Sequence, residues 1–278
     1  MHGSRFDFGP SDQTRLPPPS IEMQRVNSDR KRDTRWLAEE TPVALVYDGT
    51  TVAVVMATPA DLVDFAVGFS LTEGIIREPG EISELNVVPG PDGVELRVWL
   101  RADRGARFKA RQRRMVGPTG CGLCGIESLS EAARRPPAVS RQLCLTPSQI
   151  SQAVDALVAS QSLNRKTRAV HAAGFYRPAH DKIITREDVG RHNALDKLAG
   201  ALAVANLTGD TGAVILTSRI SVEMIQKTAH IGASVVVGVS APTALAVRIA
   251  EVCKMTLIGV ARGSDFEIFT HPEAVVPA

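Results

Sequence analysis

The spacing of hydrophobic positions changes along the chain, and each change of spacing predicts an element. Residues 1 to about 35 show no sustained periodicity: Pro10 and the run Pro17, Pro18, Pro19 sit among scattered charges. A mobile tail is expected there, with order beginning near Trp36. Two apolar runs, 43–47 and 52–56, flank Asp48-Gly49, a pair that tolerates positive φ, so they predict a hairpin. Thr58, Pro59 and Asp61 then supply a cap hydroxyl, a first-turn proline and a carboxylate at the positive end of a helix. Leu62, Phe65, Ala66 and Phe69 recur at helical steps to about Thr72, where Gly74 can close the end. A second hairpin is predicted from 84–88 and 94–100 around the Pro- and Gly-rich turn 89–93.

The second half reads differently. Thr146-Pro-Ser-Gln149 has the form of a capping box and starts a helix to about residue 163. Residues 168–176 and 182–185 read as a strand pair, and a long helix capped by Asp188 is expected over about 189–206. Short apolar runs at 213–217, 234–239 and 256–260 alternate with helical stretches near 222–231 and 242–254. Strands separated by helices argue for parallel pairing with right-handed crossovers. The expected fold class is α/β, with a disordered tail over 1–35, a smaller α+β unit over 36–140 and a layered α/β unit over 141–278. No internal repeat is visible.

A length of 278 residues suits one large or two modest domains. The 32 Lys and Arg against 30 Asp and Glu leave a net charge of +2, which names no partner. Apolar runs fall far short of the roughly 20 residues of a membrane span, and the N-terminus has no secretory apolar core. No membrane association and a cytoplasmic location are therefore expected. Only 12 residues are aromatic, too few for a stacking platform, so nucleic acid is not expected as a partner. One local feature survives this averaging: residues 101–114 carry a charge of +6. They read either as a solvated helix face or as an anion-binding surface beside the cysteine loop that follows.

That loop, Gly117-Pro-Thr-Gly-Cys121-Gly-Leu-Cys124-Gly125, holds the densest chemical signal. Its glycines leave both sulfurs open to a partner, and the preceding cations favour the nucleophilic thiolate. The same spacing could be half of a zinc site, which would need two further ligands; Cys144 and Cys253 are isolated in the sequence. A thioredoxin motif fits less well, because it belongs at a helix start after a strand. A second polar concentration is His171 with the motif Glu187-Asp-Val-Gly-Arg-His-Asn-Ala-Leu-Asp-Lys197. Neighbours on one helix diverge by about 100 degrees, so some of these side chains must be structural. Asp188 reads as a cap more than as a base, whereas Arg191 and His192 near the helix start are placed to meet phosphate or carboxylate. His171 reads equally as a core histidine or as a ligand.

Taken together, Phe69-Ser-Leu-Thr-Glu-Gly-Ile-Ile76, the Cys121-Gly-Leu-Cys124 loop, His171-Ala-Ala, the motif 187–197, residues 219–227, Ser240-Ala-Pro-Thr243 and Thr256-Leu-Ile-Gly259 resemble the FdhD formate dehydrogenase accessory sulfurtransferases from about Trp36 onward. The resemblance implies a three-layer, cytidine-deaminase-like C-terminal domain. It also implies a carrier that takes persulfide sulfur from a cysteine desulfurase and passes it to the molybdenum cofactor, bis-molybdopterin guanine dinucleotide, for formate dehydrogenase. Cys121 matches the persulfide position and Cys124 its partner. The cofactor-binding stretch maps to Val260, Ala261, Arg262, Gly263, Ser264 and Asp265. Val260 stands where the family usually has Phe, and Thr217-Ser218-Arg219 where Ser-Gly-Arg is usual. A ligand with two pyrophosphates suits guanidinium groups at strand ends, which Arg219 and Arg262 supply, and His192 at its helix start is a further candidate. A homodimer is expected, and no metal ligand is assigned. Two other readings remain: a chaperone that escorts the cofactor without sulfur transfer, and a zinc deaminase. The latter lacks the Glu of His-x-Glu after His171.

Overall fold

The computed structural model describes residues 16–102, 136–139 and 143–277. Its first element was not foreseen. Strands β1 (Ser20–Val26) and β2 (Arg32–Ala38) pair antiparallel, in the stretch where a tail was expected. Nearly every side chain of this hairpin is exposed, so it carries no buried stripe for a pattern to reveal. Cross-strand pairs hold it, including Arg25 to Asp33 at 2.8 Å and Thr34 to Glu22 at 2.7 Å.

Strands β3 (Thr41–Tyr47) and β4 (Thr50–Ala57) form the predicted hairpin. Its turn residues Asp48 and Gly49 have φ of +48° and +79°, which only a pair tolerant of the left-handed region supplies cheaply. Strands β5 (Ile82–Gly90) and β6 (Gly93–Leu100) form the second hairpin, and β3 runs parallel to β6, giving the order β4-β3-β6-β5. Along β6, Val94, Leu96, Val98 and Leu100 alternate inward with period two. With Val43, Leu45 and Tyr47 they bury against helix α1 (Leu62–Thr72), whose Phe65 and Ala66 are fully enclosed. The start of α1 differs from the sequence reading. Asp61, in a left-handed conformation, is the cap residue, and the Thr58 hydroxyl accepts from the Val189 amide at 3.1 Å.

The second unit carries α2 (Pro147–Ser160), α3 (Ser162–Thr167), α4 (Arg191–Val204), α5 (Val222–Ile231) and α6 (Ala244–Val252). They surround one six-stranded sheet made from β7 (His171–Arg177), β8 (Lys182–Asp188), β9 (Ala213–Leu216), β10 (Val235–Gly238), β11 (Thr256–Arg262) and β12 (Asp265–Thr270). The order is β12-β11-β10-β9-β7-β8. Strands β9, β10 and β11 are parallel, as predicted, with antiparallel neighbours outside them. The capping box of α2 is formed in both directions, Thr146 Oγ1 accepting from the Gln149 amide and Gln149 Oε1 from the Thr146 amide. The predicted single helix to residue 163 breaks at Gln161 into α2 and α3.

Alternate residues of the central strands face opposite layers. Val214, Leu216 and Val236 pack with α4, α5 and α6; Ala213, Ile215, Val235 and Val237 pack with α2. Both faces are thereby buried, which is why these strands read as unbroken apolar runs. The two units meet where α1 lies on α4. A Cβ on Gly68 would run into the Asp196 carbonyl, and one on Gly200 into the Asp64 carbonyl. Glycine at both positions lets the two backbones approach closely.

Candidate functional site

The motif 187–197 begins at the end of β8 and runs into α4, and the structure separates its fully paired members from those with buried polar atoms left without a partner. Asp188 is fully buried and is the last residue of β8, not the helix cap expected of it; Gly190 caps α4. Its carboxylate accepts from the amides of Thr58 at 3.0 Å and Gly190 at 2.7 Å and from Asn193 Nδ2 at 3.0 Å. Lys197 Nζ lies 2.6 Å from the same carboxylate and donates to the Thr58 carbonyl at 2.8 Å. Every charge here is paired and hydrogen-bonded, as burial requires, and the cluster ties the β4–α1 connection to α4. Glu187 is structural in the same way, since its two oxygens accept the Leu163 and Asn164 amides, both at 2.8 Å, and fix the start of α3.

Asp196, which precedes Lys197 on α4, belongs to a second buried cluster, which sequence reasoning did not assign. Lys227 of α5 donates to Asp196 Oδ1 at 2.8 Å and Oδ2 at 3.0 Å, to Glu73 Oε1 at 2.8 Å and to Thr72 Oγ1 at 3.0 Å. Burial disfavours this ammonium charge, but Asp196 and Glu73 outweigh it and raise the pKa above the ordinary lysine value. Asp196 also accepts the Thr72 hydroxyl at 2.5 Å. The signals were present in the sequence, as Thr72-Glu73, Asp196 and Lys227, but their meeting required three helices to converge.

His192 and Arg191 sit beside this cluster at the start of α4. The Nε2 of His192 and the Nε of Arg191 are both buried without a hydrogen-bond partner, a condition that a bound polar group would relieve. Burial first, then the nearby Arg191 and Lys227 charges, lower the His192 pKa to about 4, with Glu223 and Glu73 opposing. The ring is therefore neutral at physiological pH and can accept or donate a hydrogen bond. His171, across the β7–β8 pair from Asp188, is likewise held below the usual imidazole value, by burial and then by Arg191.

The remaining expected residues gather at the carboxyl ends of the parallel strands. The loops there are stitched together: Ile220 N–H donates to the Ala241 carbonyl, Thr243 N–H to the Ile220 carbonyl and Val260 N–H to the Ser240 carbonyl. Arg219 therefore lies on the loop beside Ser240, and Arg262 ends the next strand, both exposed to solvent. Thr217 pins its loop to β7, its hydroxyl accepting the Ala172 amide at 2.9 Å, and Ser218 is buried with its hydroxyl on the Arg219 carbonyl. Residues 260–265 were expected as a stretch following the last parallel strand; they instead complete β11 and turn at Gly263-Ser264 into β12. Ala261 is core, while Arg262, Gly263, Ser264 and Asp265 are exposed. Val260 has φ +54° at a register shift between β11 and β12, a strained conformation for a β-branched residue that costs of order 1–3 kcal/mol. Gly259 beside it admits Pro242, which a Cβ would meet at 2.8 Å.

Cys121, Cys124 and the basic stretch from 103 onward lie outside the described residues. Of the other cysteines, Cys144 is exposed, and Cys253 is buried with its thiol pKa pushed up by burial, the condition of an inert core thiol.

A six-stranded sheet layered between helices, with Arg219 and Arg262 exposed at the carboxyl edge of its parallel strands and a neutral His192 at the start of α4, defines an α/β protein. The chain belongs to the FdhD/NarQ family, whose model matches residues 38–276. It is 51% identical over 243 residues to Sulfur carrier protein FdhD of Agrobacterium fabrum, covering 87% of this chain and 90% of that one. It is 45% identical over 237 residues to the protein of the same name from Bordetella petrii, covering 85% of each. A crystal structure assigned as a formate dehydrogenase accessory protein, from Desulfotalea psychrophila, superimposes with a TM-score of 0.71 at 25% identity, over 93% of this chain and all of that one.

Proposed function

We propose that this protein is a sulfurtransferase that carries sulfur as a persulfide on Cys121 to the molybdenum cofactor needed by formate dehydrogenase. The observation that carries the reading is the match, over most of the chain, to relatives named sulfur carrier proteins, together with a Cys-x-x-Cys motif among glycines in this sequence. The Cys121 thiolate attacks the outer sulfur of a cysteine desulfurase persulfide. A new sulfur–sulfur bond forms on Cys121, the donor's sulfur–sulfur bond breaks, and the donor cysteine leaves as thiolate with no net oxidation. Cys124 either stays apart from the persulfide during transfer or shares its sulfur. The cargo, bis-molybdopterin guanine dinucleotide, is assigned to the carboxyl edge, with Arg219, Arg262 and the turn 263–265 toward its phosphates and guanines and His192 at the α4 side. The orphaned His192 Nε2 and Arg191 Nε support a polar ligand there.

On this reading the protein works in the cytoplasm as a homodimer, its partners being a cysteine desulfurase and formate dehydrogenase. The layered domain is cytidine-deaminase-like in layout without deaminase chemistry. Intact mass after incubation with a cysteine desulfurase and cysteine tests the reading. Wild type should gain sulfur that a thiol reductant removes, and Cys121→Ala should gain none. Equal loading of the Cys121→Ala variant would overturn the assignment.

A further inference from the structure

A second concentration of positive charge lies where the β1–β2 hairpin leans on α3. Arg25 and Arg35 from the hairpin and Lys166 and Arg168 from the end of α3 line one open concavity of about 280 Å³. The carboxylate of Asp33, 2.8 Å from Arg25, is the counter-charge paired there. Lys166 is held by stacking: its Nζ lies 3.2 Å from the centre of the Trp36 ring. Arg35 donates from Nη2 to the Thr167 carbonyl at 3.4 Å, which fixes the hairpin against the helix end. Arg168 occupies the left-handed cap position of α3 with φ +57°, a position where Gly or Asn is the ordinary choice.

Cations at the end of a helix complement its dipole, which accounts for Lys166 and Arg168 but not for two hairpin arginines turned to the same concavity. Like charges repel when they converge, and an anion between them removes that cost. Among the described residues, four cations against one carboxylate match a group with two to three negative charges. Guanidinium groups recognise phosphate oxygens through paired, charge-assisted hydrogen bonds. Arg25 and Arg35 also precede the residues 38–276 matched by the family model, so half of this lining comes from outside the matched stretch.

We infer that Arg25, Arg35, Lys166 and Arg168 form a pyrophosphate-binding site, independent of the sulfur-carrier reading. The ligand is a pyrophosphate group, free or carried on a nucleotide.

Trp36 makes the site directly readable, because a bound anion draws Lys166 from the ring. The chain has two tryptophans, Trp36 and Trp99, so Trp99→Phe isolates the signal. Titration of that variant with inorganic pyrophosphate at constant ionic strength should give a saturable change in Trp36 emission. Arg168→Gln and Arg35→Gln should each weaken it by about tenfold or more, as for loss of one charged hydrogen bond, and Arg262→Ala should leave it unchanged. All four lining side chains are on the surface, so these substitutions spare the core. Tighter binding of guanosine diphosphate than of inorganic pyrophosphate would assign the nucleotide-borne group, and the reverse order the free anion; both support the site. No saturable change, or one that the arginine substitutions leave intact, overturns it. Failure here leaves sulfur loading on Cys121 untouched.

Discussion

His192 couples the site to pH. In the unfolded chain it takes up a proton near the ordinary value of 6.5, whereas in the folded protein burial and the Arg191 and Lys227 charges delay protonation to about 4. The unfolded state binds more protons in that interval, so stability from this residue is whole above about 6.5 and falls as pH drops toward 4. His192→Gln should flatten this part of the profile. Urea unfolding at pH 7 and pH 5 tests it: the wild-type midpoint should drop more than that of the variant, and parallel drops would mean that other groups carry the dependence. Lys227 follows a different logic, because its charge is matched by Asp196 and Glu73. A buried pair of this kind adds little net stability, yet losing one partner is costly, so its effect is to fix how three helices meet.

At the scale of elements, the contact of α1 with α4 joins the two units. Glycines 68 and 200 remove the side chains that would separate the helices, and the Thr58–Asp188–Lys197 and Thr72–Asp196–Lys227 clusters close over the two ends. Gly200→Ala places a methyl group against the Asp64 carbonyl. The expected loss is about 1–3 kcal/mol from overpacking, less the small gain in helix propensity. Equilibrium unfolding in urea measures it, and a variant as stable as wild type would show that the helices can part without cost. The buried charge clusters give this interface its register, since a slip along α4 would leave a charge without its partner.

At the scale of the whole molecule, the carboxyl edge is assembled from loops after β9 and β10 and from the β11–β12 turn. Arg262 stands at that turn with its guanidinium in solvent. If the edge holds the guanine nucleotide ends of the cargo, Arg262→Ala should weaken guanosine diphosphate binding about tenfold by calorimetry, the loss of one charged hydrogen bond. Unchanged affinity would remove Arg262 from the ligand site. The Trp36 signal distinguishes this edge from the hairpin concavity, because each arginine reports on its own site.

Local chemistry made much of this legible in the sequence. The Asp48-Gly49 turn, the Thr146 capping box and the three apolar runs of the central sheet were readable because each depends on residues adjacent in the chain or on a short period. The family resemblance was readable too, from motifs that keep their spacing. Other features were settled by tertiary structure. The β1–β2 hairpin buries too little to leave a stripe, so no period announced it. Asp188 looked like a cap because its sequence position allows one; the nearness of Thr58 and Lys197, 130 and 9 residues away in the chain, made it a buried hub. Lys227 gained its role only when α1, α4 and α5 converged, and Val260 its strained conformation only when β11 had to bulge against β12. The sequence alone determined the elements and the chemistry available, because propensity and side-chain type are local. The fold decided which charges are buried together and which are left open to solvent, because desolvation depends on everything packed around a group.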